Sequence, residues 1–165
     1  MKKKEILILL FPVIIASLIG LIIINNIFNK DNENYIFVRN ATISEIDTSN
    51  KKINVYVFWG DGCPHCEELL EYLKDSQKKY GKYYNVYGFE IWKNKENATL
   101  KDKFAEEIGD TDKIGSMSVP YYIIGDKSKS GYGSNMNEDI VNLILEKYEE
   151  KDSINTFESI IKQHN

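Results

Sequence analysis

Two cysteines separated by two residues, at the point where a strand pattern changes to a helix pattern, constrain this chain most. The motif Cys63-Pro64-His65-Cys66 follows the β-branched and aromatic run 53–59 and a short Gly-Asp-Gly turn. Beyond Pro64, apolar residues recur at helical spacing, namely Cys66, Leu69, Leu70 and Leu73. The sequence therefore predicts a cysteine pair at the N-terminus of an amphipathic helix that follows a buried strand.

The position at a helix N-terminus gives the two sulfurs different chemistry. Backbone N–H groups there have no partner within the helix, so a negative charge on the first sulfur is favoured. A neighbouring histidine favours the thiolate as well. We therefore expect Cys63 to be the nucleophile and the sheltered Cys66 to be the resolving thiol. Pro64 and His65 are expected to tune the reactivity of the pair.

Other roles for the cysteine pair stay open at this point. A structural disulfide that closes so short a loop constrains the unfolded chain little. A metal site would use Cys63, His65 and Cys66, but the chain has no second cysteine pair and its only other histidine is His164. We expect no metal, and no cofactor beyond the redox-active disulfide. Covalent haem attachment is excluded, because Glu67 stands where it needs a histidine.

A long apolar segment predicts that the chain is anchored in a membrane. Residues 6–24 carry no charge and would span about 28 Å as a helix. Three lysines precede this segment, so residues 1–5 are expected in the cytoplasm and the remainder of the chain outside it. We expect an uncleaved anchor, and a cleaved signal peptide is the alternative. In either case the cysteines lie outside the cytoplasm, where disulfides persist.

The remainder of the chain divides into a linker, one domain and a tail. Residues 25–49 are predicted to be a polar linker with a leading strand at 35–38, and residues 151–165 a tail in which Ile154, Phe157 and Ile161 indicate helical turns. The domain itself is predicted at 50–150. Its patterns predict strands at 53–59, 84–92, 119–124 and 129–133, and helices at 64–81, 97–109 and 137–150. This order indicates an α/β sandwich with a mixed sheet.

Charge argues against a nucleic-acid partner. The formal net charge is -4, and Arg39 is the only arginine. No basic cluster is interleaved with aromatic residues in the way that binding along a phosphate backbone requires. We expect no nucleic acid, and we expect the protein to be a monomer.

From about residue 50 to 150, the chain resembles the thioredoxin superfamily. The resemblance rests on Phe58-Trp59 before the cysteines, the Cys-Pro-His-Cys motif that opens a helix, Val119-Pro120 at the start of a strand, and Gly133 before the last helix. It implies a thioredoxin fold, with three layers (α/β/α) and a mixed sheet of four or five strands. It also implies a cis peptide bond before Pro120 and a substrate site at Trp59, Val119 and Pro120.

The Pro-His dipeptide resembles that of the DsbA-type periplasmic oxidases. Only 54 positions separate Cys66 from Pro120, which leaves no room for the helical insertion domain of that family. The chain is more similar to compact, membrane-tethered thioredoxins, which include reductases of cytochrome maturation and accessories to peptide export. Many relatives bury an acid where this chain has Val57, so the proton of the resolving cysteine would pass to water or to Asp61, Glu67 or Glu68.

The sequence and its resemblance together predict an extracytoplasmic thiol–disulfide oxidoreductase. It would exchange disulfides with exported proteins, work with a membrane redox partner, and donate disulfides rather than reduce them. A reductase of the same fold is one alternative. A redox-inactive module that binds peptides on the export pathway is the other.

Overall fold

The computed structural model of the protein describes residues 35–150 and 156–163, together with the single residue Gly20. Apart from Gly20, the predicted segments 1–5 and 6–24 lie outside the described residues, as do residues 25–34 of the linker, and these assignments stay predictions. The described residues from 35 onward belong to one compact unit. Among them, no helix combines the length and the apolar composition that crossing a bilayer requires.

Among the described residues, five strands form one mixed sheet. They are β1 (Phe37–Val38), β2 (Ile53–Trp59), β3 (Tyr84–Glu90), β4 (Tyr121–Ile124) and β5 (Lys127–Ser130). Their order in the sheet is β1-β3-β2-β4-β5, in which the first three strands along the chain run parallel and β4 is antiparallel to both of its neighbours. The helices are α1 (Pro64–Tyr80), α2 (Lys95–Glu107), α3 (Asn137–Glu149) and α4 (Glu158–Lys162), with 3-10 turns at Ile43–Glu45, Thr111–Lys113 and Ser134–Met136.

The sheet is covered on both faces, because the side chains of β2 alternate between two cores. Ile53, Val55, Val57 and Trp59 point into the first core, which also contains both cysteines and apolar residues of α1 and α3. Tyr56 and Phe58 point into the second core, with apolar residues of α2 and α4. The prediction of an α/β fold with helices on both faces of a mixed sheet is confirmed.

Helix α2 begins earlier than the sequence predicted. Its N-cap is Asn94 rather than Asn97, because the Asn94 side chain accepts hydrogen bonds from the backbone N–H groups of Glu96 and Asn97. The side chain of Asn97 instead donates to the carbonyl of Glu90 at 3.0 Å. Asn97 thereby connects α2 to the end of β3.

The bounds of four strands also differ from the prediction, and the first of them, β1, covers Phe37–Val38 rather than 35–38. Strand β3 ends at Glu90 rather than residue 92, and β4 begins at Tyr121 rather than residue 119. Strand β5 covers Lys127–Ser130 rather than 129–133, because a two-residue turn pairs Ile124 directly with Lys127. Gly125 provides the positive φ of 62° in this turn.

The packed unit extends beyond the predicted domain of 50–150 at both ends. Strand β1 pairs with β3, and Ala41 and Ile46 are buried in the second core. At the other end, Phe157 and Ile161 are buried in the same core. The ring of Phe157 stacks on Phe104 with a centroid distance of 4.0 Å. Segments predicted to be linker and tail therefore contribute to the core.

We predict that Phe157→Ala lowers the free energy of unfolding by about 3 kcal/mol, because it removes a buried ring and leaves a cavity against Phe104. Urea unfolding followed by circular dichroism measures the change. Ser159→Ala, an exposed substitution in the same short helix, is the control and is expected to cost less than about 0.5 kcal/mol. Equal stability of the two variants would contradict the packing described for α4.

Candidate redox site

Cys63 and Cys66 form a disulfide at the N-terminus of α1, as the sequence predicted. Cys63 is the N-cap residue and has extended backbone angles, and its Sγ accepts a hydrogen bond of 3.3 Å from the backbone N–H of Cys66. Pro64 follows in the first helical turn. Cys63 is 7% exposed and Cys66 is fully buried. An incoming sulfur would therefore reach Cys63 first.

A tight turn after β2 presents the cysteine pair at the edge of the sheet. The backbone N–H of Cys63 donates to the carbonyl of Gly60 at 3.0 Å, which closes the turn. Gly62 has a φ of +82°, a conformation that residues with a side chain rarely adopt. Gly62, one of the glycines that bounded the predicted strand, is thus required by the turn that places Cys63.

The peptide bond between Val119 and Pro120 is cis, as the resemblance implied. The sheet register pairs Phe58 with Tyr121, so the chain that leaves β2 at Trp59 lies beside the chain that enters β4 at Pro120. Pro120 is buried, and Val119 is half-buried and packs against both cores. The structure therefore brings together Trp59, the cysteine pair and the Val-Pro segment. Their contacts with a substrate stay a prediction.

Trp59 contacts Arg39 beside the site. The sequence analysis did not assign Arg39 to the site. The indole N–H of Trp59 donates to the Arg39 carbonyl at 3.1 Å, and the Arg39 guanidinium lies 4.6 Å from the ring centre. Arg39 also forms an ion pair with Glu67, the residue after Cys66. The only sequence signal was that Arg39 is the single arginine in a chain rich in lysine.

The acids considered for proton transfer each have a basic partner. Asp61 pairs with Lys93, and Glu67 pairs with Arg39. His65 is exposed, and its Nδ1 lies 3.5 Å from a carboxylate oxygen of Glu68. The hydrogen bond and the charge of Lys93 lower the pKa of the Asp61 carboxyl. The ion pairs with Lys93 and Arg39 reduce the unfavourable field of Asp61 and Glu67 on a thiolate at Cys63.

Because residue 57 is a valine, no buried acid lies beside the cysteines among the described residues. Val57 is fully buried in the first core, and the buried polar side chains among the described residues are Asn54, Gln77, Asn85, Lys101 and Lys147. Directly opposite Val57 in the register is Tyr122, whose buried hydroxyl has no hydrogen-bond partner in the described part of the chain. Burial raises the pKa of Tyr122 to about 12, so this hydroxyl is neutral at neutral pH.

The exposed large apolar side chains among the described residues are Trp92, Ile114 and Met117, and they lie in the loops that flank the site. The Trp92 ring lies against Gly60, since a Cβ atom built there would come within 2.2 Å of the ring. The indole N–H of Trp92 donates to the carbonyl of Met117 at 2.9 Å. Trp92, which the sequence analysis placed at the end of a strand, therefore bridges the turn before Cys63 and the loop before Pro120.

The solved structures that are similar to this chain include the following two. One is a glutaredoxin from Archaeoglobus fulgidus, with 29% identity over 56% of this chain and 85% of that chain, and a TM-score of 0.35. The other is an uncharacterized thioredoxin-like protein from Clostridium perfringens, with 21% identity over 68% of this chain and 84% of that chain, and a TM-score of 0.44. No protein-family model and no curated protein matches the sequence.

We predict that Arg39→Gln shifts the alkylation of reduced Cys63 to higher pH. Without Arg39, the charge of Glu67 is no longer neutralised beside the N-terminus of α1, which disfavours the thiolate. The midpoint of the rate against pH, followed with iodoacetamide and mass spectrometry, should rise by about 0.5 pH unit at low salt.

Lys78→Gln is the matched control for this substitution. It removes the same charge from the far end of α1, where Lys78 pairs with Asp75. The control should leave the alkylation midpoint in place, because Lys78 is separated from Cys63 by most of the helix. Equal midpoints in both variants and the unaltered protein would rule out the influence of Arg39 on the cysteine pair.

Proposed function

We propose that the protein is an extracytoplasmic thiol–disulfide oxidoreductase that donates disulfides to exported proteins. The observation that carries the proposal is the Cys63–Cys66 disulfide at the N-terminus of α1, with one sulfur near the surface and the other fully buried. A helix N-terminus stabilises the thiolate that forms when the disulfide is reduced. A purely structural bridge would gain nothing from this asymmetry.

The proposed reaction is a pair of exchange steps. A substrate thiolate attacks Sγ of Cys63, the Cys63–Cys66 bond breaks, and Cys66 leaves as a thiolate. A second substrate thiolate then attacks the substrate sulfur of the mixed disulfide, and Cys63 leaves. The substrate thiols lose two electrons and their protons, and the cysteine pair gains the two electrons. Reoxidation would require a membrane protein that carries an oxidised disulfide.

The direction of exchange depends on how well the reduced form is stabilised. A stabilised thiolate makes the reduced pair more favourable and the disulfide a stronger oxidant. Here the N-terminus of α1 acts on Cys63, and Lys93 and Arg39 pair with the carboxylates on either side of the motif. These features support donation of disulfides over reduction.

The location and the partners are part of the same proposal. An anchor at 6–24, with 1–5 in the cytoplasm, would hold the cysteine pair outside the cell membrane and close to its redox partner. The substrates would be thiols of exported proteins, and the protein would act on them as a monomer. The exposed ring of Trp92 and the Val119-Pro120 segment would form the surface that receives them.

The reduction potential of the Cys63–Cys66 pair tests the proposal. We expect a value near or above about -150 mV, typical of disulfide donors, when the protein is equilibrated with glutathione and read by mass spectrometry. A value near or below about -250 mV would indicate instead a membrane-tethered reductase.

The double variant Cys63→Ser, Cys66→Ser is the control, because it removes the chemistry and keeps the fold. It should lose all exchange with a reduced peptide that carries two cysteines. If the unaltered protein also shows no reversible exchange while it still binds the peptide, the enzyme proposal fails. A redox-inactive peptide-binding module would then be the better description.

A further inference from the structure

The loop between α2 and the cis peptide bond is held in place without buried side chains. None of residues 109–119 is buried, and Ile114 and Met117 are exposed. Apart from the half-buried Val119, the loop therefore has little apolar burial to fix its conformation. The loop leads directly into Val119-Pro120, beside the redox-active disulfide. Its conformation comes from backbone hydrogen bonds within the loop and from polar contacts with neighbouring elements.

Lys101, a buried lysine of α2, provides two of these polar contacts. Its side chain is 2% exposed. Its ammonium group donates to the carbonyls of Lys113 at 2.5 Å and Ser116 at 2.6 Å, and pairs with Asp102 at 2.7 Å. An ammonium has three N–H donors, so these oxygens use all of them. Since an unpaired buried charge is costly, the two loop carbonyls are strongly held against Lys101.

Two further donor–acceptor pairs hold the same loop. The Asp102 carboxylate accepts a hydrogen bond of 2.9 Å from the backbone N–H of Gly115, which has a φ of +74°. The indole N–H of Trp92 donates to the carbonyl of Met117. Four of the five residues from 113 to 117 therefore have a backbone group bonded to a side chain outside the loop. Lys101 provides two of these bonds and orients Asp102 for a third.

We propose that Lys101 is a positioning residue that holds the loop 113–119 in the conformation in which the Val119-Pro120 segment receives an extended polypeptide. This inference rests on the proposed function. Lys101 bonds to the carbonyls of Lys113 and Ser116, so it acts on the loop through the backbone. If the loop is already ordered in the free protein, substrate binding does not include the entropic cost of ordering the loop. The effect of Lys101 therefore falls on polypeptide affinity and leaves the reactivity of the sulfurs unchanged.

The test compares peptide exchange by the full-length protein and by Lys101→Met, which keeps the length of the side chain and removes its donors. The probe is a short, extended reduced peptide with two cysteines. We expect its KM to rise about tenfold while kcat stays within about twofold, because the loop must now be ordered on binding. The reduction potential should be unchanged. Amide hydrogen exchange should quicken within 113–119, which reports the loss of order directly.

Lys147→Met is the matched control. Lys147 is also a buried lysine, but it pairs with Asp126 and Glu150, at the β4–β5 turn and the end of α3. The control should lose stability as Lys101→Met does and leave the peptide KM unchanged. If Lys101→Met does not fold, Asp102→Ala removes the hydrogen bond to Gly115 from a partly exposed position and should raise the peptide KM about threefold.

The outcomes separate this inference from the function on which it rests. An unchanged peptide KM in Lys101→Met, with normal exchange in the unaltered protein, would overturn the role of Lys101 alone. An equal rise of KM in Lys147→Met would overturn it too, because general destabilisation would then be the cause. Absence of exchange with glutathione in the unaltered protein would overturn the proposed function and, with it, this inference.

Discussion

Strand β2 is the element on which the rest of the fold depends. It hydrogen-bonds to β3 on one side and to β4 on the other, and its side chains alternate between the two cores. The same strand positions both halves of the redox site, since it leads into the turn before Cys63 and lies beside the entry to β4. A change of register at β2 would therefore displace the cysteines and the cis-proline segment together.

Charge around the disulfide is balanced locally. The turn before Cys63 carries Asp61, which pairs with Lys93 from the loop between β3 and α2. The first turn of α1 carries Glu67, which pairs with Arg39, the residue after β1. The electrostatic field at the sulfurs thus has two sources, the N-terminus of α1 and ion pairs that are nearly neutral. The apolar Val57 lies in the same core as Cys66. The chain achieves this balance with elements that are distant in sequence.

The sequence was most informative where local pattern decides the structure. The bounds of β2 follow from a β-branched run that ends in glycines, and α1 follows from its proline start and its apolar spacing. The position of the cysteine pair and the alternating sheet layers follow similarly, whereas the cis bond before Pro120 was implied by the family resemblance and not by local pattern. Lys101 was missed because a lysine on a helix is expected on the solvent side, and its acceptors lie 12 and 15 residues away. Arg39 and Trp92 were missed for the same reason, since long-range packing creates their contacts.

Within the described part of the chain, the two edge strands of the sheet each have one side without a partner strand, where a strand of another, unfolded chain could pair. Strand β1 pairs over only two residues, and β5 carries alternating, exposed Lys127 and Lys129. Short or lysine-bearing edge strands resist pairing with a further strand from another molecule. Under the proposed function, the protein would meet exported chains before they fold and would be surrounded by unpaired strands. The edges of this sheet would then oppose co-aggregation with those strands and leave the loops around the disulfide as the surface where substrates bind.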